Sequence, residues 1–229
     1  MKGMLMLVLL YSLALAVTKE DVDKVVSDAA AIVRELKAEE LLKEAKGVIV
    51  CPGVIKSALV VGVSAGKCVA SIKDPKVGGW SAPAFYKLAQ ASLGFQLGVE
   101  SIDLVLVVKT ERGVRSLLKT RVKLGGDVSL AAGPVGRSAS ASTDIALKAD
   151  IYSYSKAKGV FAGVSLQGGA LIPDEDSIRA YYGRTLTAKQ VLYEKVKASS
   201  SASVFKVLAA GPAFFLSQLT ISASVRPPL

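Results

Sequence analysis

Hydrophobic residues recur at three- and four-residue steps from Val22 to Leu41, then from Val48 onward at steps of two or in short unbroken runs. A chain that changes period in this way places a helix first and a sheet after it. Side chains one turn apart share a helix face, whereas alternate side chains share a strand face. Over Lys19–Ala45 the apolar stripe is Val22, Val25, Val26, Ala29, Val33, Leu36 and Leu41, with acids and lysines between. The stripe is rich in Val and Ala and the polar face is acidic. It predicts packing against the body of the protein, not a helix lying free in a membrane interface. Thr18 and Asp21 are spaced as a capping box with Asp in place of Glu, and Gly47 ends the helical pattern.

Strands are expected at Val48–Cys51, Ala58–Val63, Cys68–Ile72, Phe95–Val99, Asp103–Val108, Val122–Ala132, Ile145–Tyr154, Val160–Leu166 and Gly169–Ile172, with a turn around Gly53–Ser57. Short helices are expected at Glu111–Lys119, Asp174–Tyr181 and Thr187–Ala198. Strands fill the middle, helices sit at both ends, and βαβ alternation is absent. This is an α+β pattern whose extensive, mainly antiparallel sheet can curl into a barrel. With 229 residues, 51% of them hydrophobic, the chain can bury one substantial core. The expected domain covers residues 17–198, as the helix 19–45 and a core 45–198, between a leader at 1–16 and a C-terminal extension at 199–229. Val204–Leu219 in that extension is apolar but interrupted by Gly211-Pro212, so it is a poor transmembrane span.

The leader reads as a signal peptide: Lys2, an apolar run from Gly3 to Leu10, then Ala14-Leu15-Ala16, with Val17 near the mature start. An uncleaved membrane anchor is the alternative. Export to the periplasm, envelope or exterior gives Cys51 and Cys68 two readings. They pair as a disulfide worth about 2–4 kcal/mol, or they are two buried thiols acting as small hydrophobes.

The chain has no histidine. A Ser-His-Asp or Cys-His nucleophilic site cannot be assembled, and the commonest metal ligand is missing; carboxylate, Lys or Tyr catalysis stays open in principle, but the expectation is a protein that is not an enzyme and holds no metal or other cofactor. Gly62-Val63-Ser64-Ala65-Gly66 matches a nucleophile-elbow pattern but lacks its histidine, and is expected to be a β-turn. Gly62–Lys67 falls one residue short of a phosphate-binding loop. Asp174-Glu175-Asp176 reads more economically as a helix N-terminus than as a cation site.

Net charge is +10, and from residue 45 onward 23 bases face 11 acids. A basic body suits an anionic partner, or simply solubility. The sharpest basic stretch, Lys109–Lys123, holds Lys109, Arg112, Arg115, Lys119, Arg121 and Lys123 against Glu111. On a helix Arg112, Arg115 and Lys119 would share one face and meet anionic lipid; the other reading is a solvated face balanced by acids elsewhere. No aromatic interrupts the stretch, which argues against nucleic acid.

Several segments together resemble the SYLF family. They are Ala45-Lys46-Gly47-Val48-Ile49-Val50-Cys51-Pro52, Gly78-Gly79-Trp80-Ser81-Ala82-Pro83-Ala84-Phe85, Ala131-Ala132-Gly133-Pro134-Val135-Gly136-Arg137, Ala149-Asp150-Ile151-Tyr152-Ser153-Tyr154-Ser155, Lys158-Gly159-Val160-Phe161-Ala162-Gly163-Val164-Ser165 and Ala180-Tyr181-Tyr182-Gly183. They stand in the family's order across roughly residues 38–192. The resemblance implies acidic-phospholipid binding without catalysis. Within the shared motifs, Trp80 suits a groove wall or interface anchor, or else caps the core; Arg137 suits a phosphate contact; Tyr152 and Tyr154 share a strand face. The expectation is an exported, peripherally membrane-associated lipid-binding domain using Arg112, Arg115, Lys119, Arg121, Lys123, Arg137 and Trp80. The alternative is a structural or protein-interaction module of the cell envelope with an acidic partner.

Overall fold

A computed structural model of the chain describes residues 17–36, 42, 44–58, 61–74, 79–93, 98–134, 149–157, 159–194 and 196–197. The leader 1–16, Arg137 and the extension 199–229 lie outside the described residues. Helix α1 (Lys19–Leu36) opens with the expected capping box: Asp21 N donates to Thr18 Oγ1 at 3.2 Å and Thr18 N to Asp21 Oδ2 at 3.1 Å. It buries Val22, Val26, Ala29, Ala30, Ile32 and Val33. Of the helix expected as far as Ala45, the described part beyond Leu36 is helical only at Leu42.

Ten strands follow: β1 (Gly47–Ala58), β2 (Val61–Asp74), β3 (Gly79–Trp80), β4 (Ala84–Leu93), β5 (Gly98–Val108), β6 (Val122–Lys123), β7 (Leu130–Ala132), β8 (Ile151–Ala157), β9 (Val160–Gly163) and β10 (Ala170–Pro173). Helix α2 (Glu111–Ser116) lies between β5 and β6, and α3 (Glu175–Tyr182) and α4 (Ala188–Tyr193) follow β10. The sheet order is β6-β10-β4-β2-β1-β5-β8-β7, with β3 on β2 and β9 on β8. Pairing is antiparallel except between β7 and β8. The fold is α+β, a curled half-barrel sheet with helices from both ends of the chain.

Several expectations change, among them the strand expected at Ala58–Val63, which straddles the end of β1 and the start of β2, and the separate strands expected at Phe95–Val99 and Asp103–Val108, which β5 joins from Gly98 onward. Gly53–Ser57 is not a turn: β1 runs through it, with Gly53 at φ +57 and the register slipping between Cys51 and Val54 against β5. Pro52-Gly53 is turn chemistry, but with partners on both sides the chain absorbs it as a bulge. Ser64-Ala65-Gly66 lies inside β2, so it is strand and not β-turn. Strand β4 lacks β-branched residues and gave no strand pattern, yet β2 and β10 pair with it on either edge. The stretch Val122–Ala132 divides into β6 and β7 around a turn at Gly125, φ +83.

Antiparallel partners point to the same side, so the ladders sort the sheet into two faces. One carries Val48, Val50, Val69, Phe85, Val105 and Val107, all buried beneath α1 and α3. The Phe85 and Tyr181 ring centroids stand 5.1 Å apart there. The other face buries Ile49, Cys51, Val54, Cys68, Tyr86, Leu88, Leu104 and Leu106. Tyr86 donates its hydroxyl to Leu117 O at 2.9 Å on this side. Cys51 and Cys68 stand beside the Val50–Val69 pair, wholly buried, and form a disulfide with Cα atoms 4.0 Å apart. Among the described residues no helix is long and apolar enough to cross a membrane.

Candidate functional site

The basic stretch does not form one cationic helix face. After Ser116 the backbone tightens into three-residue turns, Leu118 N to Arg115 O and Lys119 N to Ser116 O, and α2 ends before Lys119. Acids also occupy part of the stretch. Arg112 Nη2 lies 3.2 Å from Asp150 Oδ2, Lys119 Nζ 3.0 Å from Asp127 Oδ1, and Lys109 Nζ 2.6 Å from Glu44 Oε2. Asp150 is a buried hub that also accepts from Thr110 Oγ1, Ser129 N and Ser129 Oγ. Burial pushes its pKa up, but the Thr110 and Ser129 hydrogen bonds and the Arg112 charge outweigh burial and hold the carboxyl below its ordinary value. Among the described residues no ion pair engages Arg115, Arg121 or Lys123, and all three are exposed.

The ladders place Lys123 apart from Arg112 and Arg115. Lys123 pairs with Ala170, Ala170 with Ala89, and Ala89 with Ala65, which puts Lys123 in one row with two small residues of the α1 face. Arg121 immediately precedes β6. The row beside it holds Lys67 opposite Lys87, and Asp103 opposite Lys156. Lys87 Nζ contacts Asp174 Oδ1 at 3.0 Å, Lys156 pairs with Glu35 of α1, and Asp103 accepts from Gly53 N at 2.9 Å. This belt marks the limit of α1's cover.

Beyond the belt the same face continues with no charge on β5, β1, β2 and β4, and Lys123 ends one of its rows on β6. One row is Ser101, Ile55, Ala65 and Ala89, and the next is Val99, Ser57, Val63 and Ala91. All eight are exposed, with Ile55 at 48%, Val63 at 53% and Val99 at 74%. Ile55, Val63 and Val99 are the large apolar side chains exposed there, set among alanines and serines of four strands. Lys67, Lys87 and Lys123 stand at its border, so ammonium groups flank an uncharged, small-residue plane.

The remaining expected residues have other duties. Trp80 is 7% exposed, in β3 opposite Lys73, as a cap on the core. Tyr152 and Tyr154 share the α1 face but are buried beneath cover. Gly133 is pressed on the Tyr154 ring so closely that a Cβ would meet Cζ at 2.0 Å. Among the described residues the Tyr154 hydroxyl has no hydrogen-bond partner, and burial pushes its pKa up to about 12. Asp174 caps α3, receiving Ser177 N at 3.3 Å and Ser177 Oγ at 2.7 Å. The uncharged face was not foreseen. Its only sequence signal is small and apolar residues at alternate positions (Ile55 and Ser57, Val63 and Ala65, Ala89 and Ala91, Val99 and Ser101), which acquires meaning once register is known.

Residues 89–210 match the family model described as Ysc84, Las17-binding protein actin regulator. LAS seventeen-binding protein 3 of Saccharomyces cerevisiae is 37% identical over 175 residues, covering 74% of this chain and 37% of the yeast protein. Protein YSC84 of the same yeast is 38% identical over 167 residues, covering 71% of this chain and 35% of its own. SH3 domain-containing YSC84-like protein 1 of Xenopus laevis is 34% identical over 158 residues, covering 68% and 47%. The chain thus spans about a third to a half of the length of the curated relatives it matches. With more than two thirds of its residues aligned at such identity, the chain belongs to the Ysc84 family, the SYLF family that its motifs resemble.

Proposed function

We propose that this chain is a non-enzymatic domain that binds an anionic phospholipid surface through the uncharged end of its sheet, outside the cytoplasm. The observation that carries the reading is the plane of Ile55, Ser57, Val63, Ala65, Ala89, Ala91, Val99 and Ser101 bordered by Lys67 and Lys123, with Lys87 between them held by Asp174. Apolar side chains enter the interfacial region while nearby ammonium groups meet lipid phosphates, each cation contributing on the order of 1 kcal/mol. A net charge of +10 draws the whole domain to such a surface. The buried Cys51–Cys68 disulfide supports an oxidising compartment, in line with the leader-like residues 1–16.

Cosedimentation with vesicles tests the reading. Binding to phosphatidylcholine vesicles containing phosphatidylserine, weakened by salt, is expected; equal binding to pure phosphatidylcholine sinks it. A second reading, a protein-interaction module, is favoured by the names of the relatives, which include a LAS seventeen-binding protein. Its mark is a partner still captured by the domain after lipid is removed with detergent.

A further inference from the structure

Strand β1 is apolar on both of its faces where it enters the sheet. Val48, Ile49, Val50 and Cys51 are wholly buried, and so are Val69, Ala70, Val105 and Val107 opposite them. Burial fixes a register when one face of a strand is apolar and the other polar. Here a slip of one residue exchanges one set of apolar side chains for another. Yet the outward face depends on that register. Val50 pairs with Val69 and Ile55 with Ala65, so β1 takes five residue steps against four of β2, with the extra residue at Pro52-Gly53. Without the bulge, the Val50–Val69 ladder would run on to set Ile55 opposite Ser64 and Lys56 opposite Val63. Ile55 would turn inward, and a charge would stand amid the uncharged rows. Two bonds hold the bulge. Gly53 N donates to Asp103 Oδ1 of β5 at 2.9 Å, and Cys51, the last residue before the bulge, is joined covalently to Cys68 of β2.

We propose that the Cys51–Cys68 pair is a redox clamp on this register. As a disulfide it ties β1 to β2 at the edge of the bulge and keeps Ile55 and Ser57 in the uncharged face. As two thiols it releases that end of the hairpin, and the face loses its order while the sheet beneath α1 stays folded. Closing the clamp removes two electrons and two protons from the thiols, and an exchangeable disulfide such as oxidised glutathione accepts them as it becomes two thiols. A dithiol such as dithiothreitol runs the reverse, closing its own disulfide. Both cysteines are wholly buried, so a thiolate reaches the bond only while the outer strand ends are open. Oxidation therefore traps the assembled face, and reducing surroundings leave it loose. That this face meets lipid rests on the reading above; the clamp does not.

Amide hydrogen exchange of the full chain, with no vesicles present, tests the clamp. One sample is oxidised, and another is reduced and held in tris(2-carboxyethyl)phosphine with both thiols verified by mass. Losing a cross-link also lowers global stability, so a third sample is the oxidised chain in enough urea to match the reduced one. On reduction, exchange at residues 54–57 and 62–66 should rise at least ten-fold more than at residues 105–107, with no such excess in urea. Unchanged exchange, an equal rise in both regions, an excess matched by the urea sample, or loss of far-UV circular dichroism on reduction overturns the proposal. A clamp that passes while neither redox form binds vesicles removes the lipid reading alone.

Discussion

Arg112 Nη2 lies 3.2 Å from Asp150 Oδ2, so a cation whose spacing offered it to an external anion instead ties α2 to the start of β8. Asp150 lies in one of the segments that resemble the family, and its duty here is to satisfy Thr110, the N-cap of α2, and Ser129 at the same time.

Asp150→Asn should cost about 2 kcal/mol at neutral pH, because charge-assisted hydrogen bonds to Thr110, Ser129 and Arg112 are weakened together. The folded pKa of Asp150 is lowered from the model-compound value of 3.8. Its stabilising contribution is therefore present above the unfolded pKa and is lost as pH falls through the folded value. Urea midpoints of wild type and variant should converge as pH drops below about 4; a gap independent of pH refutes the assignment.

Gly133→Ala should destabilise by about 1–3 kcal/mol, since the new methyl overlaps the Tyr154 ring and β7 must shift on β8. Tyr154→Phe should be neutral or slightly stabilising, because it removes a hydroxyl that has no partner among the described residues. Tyr86→Phe, which breaks the 2.9 Å bond to Leu117 O, should lose about 1 kcal/mol. Thermal unfolding of the three variants ranks them, and the order of the two tyrosines is the sensitive outcome.

Replacing both Cys51 and Cys68 by alanine should lower stability by about 3 kcal/mol, the scale for closing a loop of this length, at a sequence separation of 17. Guanidinium unfolding with and without reductant reads it: wild type should respond to reductant and the double variant should not.

Lys67→Glu combined with Lys123→Glu should weaken binding to phosphatidylserine-containing vesicles by about ten-fold or more, while Arg115→Glu leaves it within about two-fold. The comparison separates a surface bordering the uncharged rows from one on α2. Equal losses at both places would return the binding surface to the basic stretch as read along the chain.

Much of the fold was legible because its signals are local. The α1 stripe and its Thr18–Asp21 cap, the Asp174 and Thr187 helix starts, and the apolar strands around Val50, Val69 and Val105 each declare themselves within a few residues. Strand β4 was not legible, since Ala84–Leu93 owes its conformation to neighbours on both edges. The bulge at Gly53 escaped for the same reason: Pro52-Gly53 reads as a turn unless β2 and β5 are already alongside. Trp80 and Arg112 were conspicuous as residues but unremarkable in place, one closing the core and the other paired with Asp150.

The sequence by itself determined the order of a helix and then a sheet, the basic surplus of the body, the absence of any histidine-based chemistry, and the family. Periodicity, charge and motif order need no knowledge of what lies across the sheet. Only the tertiary structure decided which residues face outward together. Ile55, Val63, Ala89 and Val99 come from four strands, and their common face depends on a bulge that reverses the parity of β1. A one-residue slip in a strand turns every side chain to the opposite face, so register, a relation between distant segments, settles where the uncharged surface lies.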